Sequence, residues 1–350
     1  MKNQKKQILK KIIADYKGNI ITSRIPLIAN IEITNKCPMK PPCIMCSRSN
    51  NWWIKKYLYK NEMSASLIER LSTELKGVKH LGFVGNGEPF ACTRIFQLIN
   101  SLDKDCSVRV ISNGVLLNDL LIEKIVDCNI EEINFSIDAA DQQTYSKLRG
   151  PHFSRIIGNI GKLVEQKNKA KKKLEISMNM TLMELNKDEI IPFVELASSI
   201  GVKKVKMHRL LKYKVTKADR KNFKYRFKEQ KIDTTNQEFN NYLDNCIDFA
   251  KEHNVKFVWQ SPRDKKQTTC INPWTRLVIL VNGDVKVCWH NKTILGNLNN
   301  DSLDSIMNSK KAKRIMVNFL QQGKDTACSC NAKREPIKLL DQTAIIKELC

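Results

Sequence analysis

No apolar run in the 350-residue chain approaches the ~20 residues that a membrane-spanning helix needs. The opening segment, MKNQKKQILKKIIADYKGN, is basic but lacks the long apolar core and small-residue cleavage site of a signal peptide. It reads as an amphipathic helix of the mature protein, and a cytoplasmic location without membrane attachment is the expectation. There is no internal repeat, which excludes a solenoid, and the only compositional bias is lysine. Acidic residues are the scarce charge: 36 against 60 basic residues leave a net charge of +24. Such an excess suits nucleic acid, an anionic substrate or an anionic membrane surface, and suits equally a lysine-rich surface with no ligand at all. Histidine is rare, five in all.

Cysteine, by contrast, is plentiful, with twelve residues. A disulfide framework belongs to small secreted domains, so clustered cysteines here point to metal ligands or catalysis. The chain is long enough for one large domain and a smaller one, and 42% hydrophobic residues allow a sizeable core.

From residue 28 onward, short runs rich in Ile, Val and Phe alternate with segments of helical spacing. Strands are expected at 28–34, 79–84, 107–112, 131–137, 174–182 and 203–208, and helices near 64–76, 92–103, 116–127, 153–168 and 188–200. Ser64 and Asn118 stand where helix caps should, Gly77 and Gly201 where helices should stop. Six such alternations imply a parallel sheet covered by helices, as a doubly wound sheet or as a barrel. Beyond the sixth strand come a basic run with interleaved aromatics at 212–231, a helix at 236–252 and a strand at 255–259. Residues 270–290 read as a hairpin turning at Asn282-Gly283-Asp284, with helices near 302–308 and 310–321 after it. The expected division is a lead-in at 1–27, a main domain at 28–240 and a small C-terminal domain at 241–350.

Directly after the first strand, ITNKCPMKPPCIMC places Cys37, Cys43 and Cys46 in one loop with spacing C-x5-C-x2-C. Three thiolates in a tight loop can hold three irons of a cubane cluster and leave the fourth iron open to a small molecule. A structural zinc usually takes four protein ligands, and no histidine lies near the triplet. This loop resembles the cluster loop of radical S-adenosylmethionine (SAM) enzymes, although that family usually spaces its cysteines x3 and x2 and often has an aromatic residue where this chain has Met45. Gly85-Asn86-Gly87-Glu88-Pro89 after the second strand is similar to the family's Gly-Gly-Glu segment. The resemblance implies that Gly85, Gly87 and Glu88 contact the methionine amino group. Ser112-Asn113-Gly114 resembles the family's Thr-Asn-Gly, and Ser136-Ile137-Asp138 its ribose- and methionine-contacting segment, implying contacts from Asn113, Ser136 and Asp138. Taken singly, each motif is also an ordinary turn or helix cap, Asp138 or Asp141 serving as the cap. His208 and Arg209 end the sixth strand, and the Arg209 guanidinium suits a carboxylate.

Near the C-terminus, Cys270, Cys288 and the Cys328/Cys330 pair surround Gly283 in a layout that looks like the auxiliary-cluster domain called SPASM, or its shorter relative, the twitch domain. The pair is C-x-C where C-x-x-C is usual, so Cys350 or Cys246 stand as substitute ligands, and zinc is the competing occupant. Cys92, Cys106 and Cys128 read as buried apolar residues. The resemblance thus implies a partial (β/α)6 barrel with a small C-terminal β-hairpin and helix domain. It implies a SAM-binding [4Fe–4S] cluster, SAM itself, an auxiliary [4Fe–4S] cluster, and an electron donor such as flavodoxin or ferredoxin. The substrate expectation is a carbohydrate-like small molecule or a peptide. The 27 residues ahead of the first strand look too few for a leader-peptide-binding domain, which tilts toward a carbohydrate or other small molecule, or a peptide presented by a separate protein. The alternatives are radical modification of RNA, motivated by the charge and the 212–231 run, and a non-enzymatic iron–sulfur carrier or regulator.

Overall fold

The computed structural model describes residues 27–49, 62–210, 227–259, 270 and 272–322. The N-terminal segment, most of the 212–231 run and Cys328, Cys330 and Cys350 lie outside the described residues.

Six strands form where period and composition place them: β1 Ile28–Ile31, β2 His80–Phe83, β3 Ser107–Ser112, β4 Glu132–Ser136, β5 Glu175–Leu182 and β6 Lys204–Arg209. Between them run α1 Ala65–Glu74, α2 Ile95–Ser101, α3 Asp119–Asp127, α4 Gln142–Leu148, α5 Phe153–Lys169 and α6 Ile190–Ser199. Beyond these come α7 Gln237–Glu252, β7 Lys256–Trp259, β8 Arg276–Ile279, β9 Asp284–Lys286, β10 Gly296–Asn297, α8 Leu303–Asn308 and α9 Lys310–Gln322. Ser64 Oγ accepts from Leu67 N and Asn118 Oδ1 from Leu121 N, so both caps satisfy donors that the first helical turn leaves open. Gly77 and Gly201, at φ 83° and 75°, terminate α1 and α6 in a conformation that other L-residues rarely adopt.

All ten strands join one open sheet in the order β10-β9-β8-β1-β2-β3-β4-β5-β6-β7. β1 through β7 are parallel neighbours, and β7 extends the sheet past β6. The β8–β9 hairpin is no separate layer: β8 pairs parallel with β1, Ile28 opposite Arg276 and Ile31 opposite Ile279.

The strands alternate chemically as well as geometrically. Ala29, Ile31, Phe83, Val110, Phe135, Met178 and Met207 point to one face, all at 0% exposure, and α1 to α6 cover that face. Burying a side chain such as Phe135 contributes about 1.5–3 kcal/mol. The residues between them, among them Asn30, Glu32, Asn134, Ser177, Asn179 and Lys206, are buried polar groups on the other, concave face. There Ser177 Oγ donates to Asn134 Oδ1 at 2.7 Å, and Lys206 Nζ bonds Asn134 and Glu132. The sheet thus has one greasy side and one hydrogen-bonding side, and every parallel strand delivers its C-terminal loop to the same rim.

Candidate active site

The loop after β1 is tied to its neighbours by backbone. Ile44 N donates to Leu148 O at 3.0 Å, Cys46 N to Cys43 O at 3.0 Å, and Glu88 N to Lys36 O at 2.7 Å. The last bond needs Gly87: a Cβ there would overlap the Thr34 carbonyl oxygen and stand 2.7 Å from that of Lys36. The loop after β2 therefore lies directly against the cysteine loop because a side chain is missing.

Each thiol of the triplet has its own N–H donor at 3.5 Å, each from a different place. Asn113 Nδ2 reaches Cys37 Sγ from the loop after β3. An Arg149 Nη1 reaches Cys43 Sγ from the end of α4. The Arg48 backbone N reaches Cys46 Sγ from within the loop. The thiols also act on one another: Cys46 and Cys37 both press on the charge of Cys43, whose thiol burial pushes up to about 11. Among the described residues no three His, Cys, Asp or Glu side chains converge as ligands of one mononuclear ion do. Thiolates of a cubane cluster stand on separate irons and need not converge, and sulfur-directed N–H donors are what such a cluster takes. The residues present fit a cluster.

Glu88 is the centre of the second motif. It is 1% exposed, and burial pushes its carboxyl up to about 7 against the hydrogen bonds it accepts. Oε1 accepts from Ser112 Oγ at 2.8 Å and Phe90 N at 3.4 Å, and Oε2 from Asn113 N at 2.7 Å. Ser112, Asn113 and Gly114 thus serve Glu88 and Cys37 together. Gly114, at φ 75°, makes the turn that allows it.

The chain matches the model of the radical SAM superfamily over residues 31–197 and that of an iron–sulfur cluster-binding domain, SPASM, over residues 270–331. It carries a radical SAM domain. A "Probable GTP 3',8-cyclase" of Methanocaldococcus jannaschii is 29% identical over 183 residues, 49% of this chain and 55% of that protein. An "AdoMet-dependent heme synthase" of Methanosarcina barkeri is 24% identical over 187 residues, 52% of this chain and 50% of that protein. The matches therefore span about half the length of these curated relatives. In fold, the chain is similar to SuiB of Streptococcus suis bound to S-adenosylmethionine, with TM-score 0.64, 18% identity, and 92% and 74% of the two chains covered. Native anSMEcpe with bound AdoMet gives TM-score 0.59 at 15% identity, covering 92% and 96%. The radical SAM domain implies a [4Fe–4S] cluster with SAM, and the SPASM domain implies auxiliary iron–sulfur clusters. No described helix is long and apolar enough to cross a membrane.

In this radical SAM chain Asp138 is buried at φ 65°, and its carboxylate is committed within the protein. Arg149 Nε donates to Oδ2 at 2.7 Å, Arg149 Nη2 lies 2.5 Å from the same oxygen, and Thr181 N donates to Oδ1 at 2.6 Å. The cap of α4 is instead Asp141, which accepts from Thr144 N at 2.9 Å. Burial opposes the charge of Arg149, but Asp138, Cys43 and Tyr145 together outweigh it and raise the pKa. Ser136 faces the concave side with Asn134. Strand alternation puts His208 on that side with Lys206, and Arg209 on the opposite side, exposed at the strand end.

Two residues that motif reading misses complete the site. Arg149 looks in the sequence like an ordinary cation at a helix C-terminus. Glu32 looks like an isolated acid between Ile31 and Ile33, and the alternation around it is its only signal. Its carboxylate accepts from Asn86 N at 2.8 Å and Asn86 Nδ2 at 2.6 Å, and Asn86 Oδ1 in turn accepts from Ser47 Oγ at 3.2 Å.

Cys270 and Cys288 are buried at 8% and 7%, and both act electrostatically on Arg276 at the start of β8. The hairpin thus gathers two of the candidate auxiliary ligands. Arg276 Nε is a buried donor with no acceptor beside these thiols, which fits a missing anionic, sulfur-rich group. Cys246 is fully buried in α7, which packs on α6 and β7 at the other edge of the sheet. Cys92, Cys106 and Cys128 are buried, as their apolar settings predict.

Proposed function

We propose that this chain reductively cleaves SAM and uses the product radical to take a hydrogen atom from a polar substrate, a carbohydrate-like small molecule or a peptide, which it oxidises or rearranges. The observation that carries this reading is the rim itself: three thiols, Cys43 buried and Cys37 and Cys46 half-buried, each with its own N–H donor, beside an ionisable buried Glu88. Held by Cys37, Cys43 and Cys46, the cluster would supply the single electron that splits SAM into methionine and a 5′-deoxyadenosyl radical. Ionised Glu88 has three donors on about four acceptor sites, so Oε2 keeps a lone pair for an ammonium group. Gly85 and Gly87 let the loop after β2 close on Glu32 and on the cysteine loop, which sets its backbone and Glu88 toward the methionine amino group; Asn113 steadies Cys37, and Ser136 and Arg209 stand at strand ends on the rim. Asp138 orients Arg149 rather than meeting solvent. Cys270, Cys288, Cys328 and Cys330 are assigned to an auxiliary cluster in a C-terminal unit spanning 241–350, and a flavodoxin or ferredoxin to the reductant.

The concave face supports a polar substrate, since Asn179 Oδ1 on it is buried without a hydrogen-bond partner among the described residues and an apolar ligand would leave it so. A peptide is supported by the fold likeness to SuiB bound to its precursor peptide SuiA, at TM-score 0.65 and 18% identity. The deciding experiment is anaerobic reconstitution, with iron and sulfide counted per chain and 5′-deoxyadenosine measured after dithionite and SAM are added. About eight irons with nucleoside release support both clusters, and about four with release support the triplet alone. Zinc without release refutes the reading.

A further inference from the structure

Arg276 opens β8 and Lys286 closes β9. The hairpin ladder sets Val278 against Lys286 and Ile279 against Val285. β9 ends at Lys286, the chain bends at Val287, and Cys288 follows directly. Cys288 and Cys270 both act on the Arg276 charge, which places their thiols near its guanidinium.

The surroundings of this guanidinium are unusual. Its Nε–H is buried and finds no acceptor, which is costly for a donor removed from water. Burial, and after it the like charge of Arg109, pulls the group below its ordinary value, and only the two thiols oppose that shift. No carboxylate is among the described groups acting on it. Lys286 is placed differently, because Glu32 as well as Cys288 offsets its charge. An arginine keeps its proton in proteins, so Arg276 is a permanent charge without a carboxylate counter-ion among the described residues. An iron–sulfur cluster on thiolates is anionic, and its sulfurs accept N–H donors.

We propose that Arg276 is the counter-charge and N–H donor of the auxiliary cluster, raising its reduction potential so that it is poised to accept an electron from the substrate. The inference rests on Cys270 and Cys288 being ligands of that cluster. A nearby positive charge stabilises the more negative, reduced form, and so does a hydrogen bond to sulfur. Lys286, already offset by Glu32, has the smaller effect.

The test is an EPR-monitored redox titration of full-length protein in which Cys37, Cys43 and Cys46 are Ala, so that the auxiliary cluster is the iron–sulfur centre observed. Arg276→Gln lowers its reduction equilibrium constant at least tenfold, a shift of about 59 mV to more negative potential for a one-electron couple. Arg276→Lys stays close to the parent, and Lys286→Gln shifts by less than Arg276→Gln. An intact cluster whose midpoint does not move in Arg276→Gln overturns the proposal. If Arg276→Gln does not assemble the cluster, iron content decides: recovery in Arg276→Lys supports the counter-charge, and equal loss in Arg276→Lys overturns it. Absence of any cluster in the parent protein instead refutes the auxiliary-site reading on which the inference stands.

Discussion

Glu88 is a carboxyl whose environment works against its charge, and its pH behaviour follows. Its ordinary value of 4.5 rises to about 7 in the fold, so the folded protein holds this proton more tightly than the unfolded chain does. In the ligand-free protein its contribution to stability is full below about 4.5 and is lost as pH rises through about 7. An ammonium partner reverses the preference, because it needs the ionised form. SAM affinity, measured calorimetrically, is expected to fall tenfold per pH unit below about 7 and to level off above it. Glu88→Gln should weaken binding by about ten- to a hundredfold, the loss of one charged hydrogen bond worth ~1.5–3 kcal/mol, and flatten the pH profile. The Asp138–Arg149 pair is a different kind of residue-scale device. Asp138 is 1% exposed and its partner's side chain 10%, so Asp138→Ala strands a buried charge. Chemical denaturation should show a loss of about 3–5 kcal/mol, together with a changed absorption spectrum of the cluster that Arg149 borders through Cys43.

At the scale of elements, the loops after β1, β2 and β3 act as one unit, and the hairpin as another. The first unit is held by Glu88 N to Lys36 O and by Asn113 reaching Glu88 and Cys37. Gly87→Ala should therefore damage cluster retention without touching a ligand, visible as iron lost from soluble protein. The hairpin turns at Gly283, φ 89°, where Gly283 N donates to Leu280 O at 2.8 Å. Replacing Cys37, Cys43 and Cys46 by Ala should abolish 5′-deoxyadenosine release. Replacing Cys270 and Cys288 should leave uncoupled release and lose product. Equal loss of release from both sets in soluble protein would refute the division of roles.

For the whole molecule the decisive fact is that the hairpin belongs to the barrel sheet. β8 covers the edge of β1 through four paired residues. A chain cut after Trp259 would leave that edge and the buried Ile31 open, a template for aggregation. Such a fragment should be insoluble or unfold without cooperativity, and a soluble fragment with a sharp melting transition would show the sheet to be divisible. The net charge of +24 also acts at this scale. It favours non-specific RNA binding that disappears steeply with added salt, so RNA as substrate requires modification that persists at physiological ionic strength.

The alternation of strands and helices, their caps at Ser64 and Asn118, and the grouping of Cys37, Cys43 and Cys46 were legible in the sequence. All of these depend on period or on spacing within a few residues, which a linear chain records. Glu88 was legible as a motif member, while its pKa was not, because burial comes from elements distant in the chain. Arg149, Glu32 and Arg276 carried almost no local signal: their partners lie 106, 54 and 12 positions away, at Cys43, Asn86 and Cys288. Only the tertiary structure brought those pairs together, and only it decided that Asp138 holds Arg149 while Asp141 caps the helix. Periodicity states which face of a strand is apolar. What stands against the polar face is settled by the curvature of the sheet and by which loops meet at its rim.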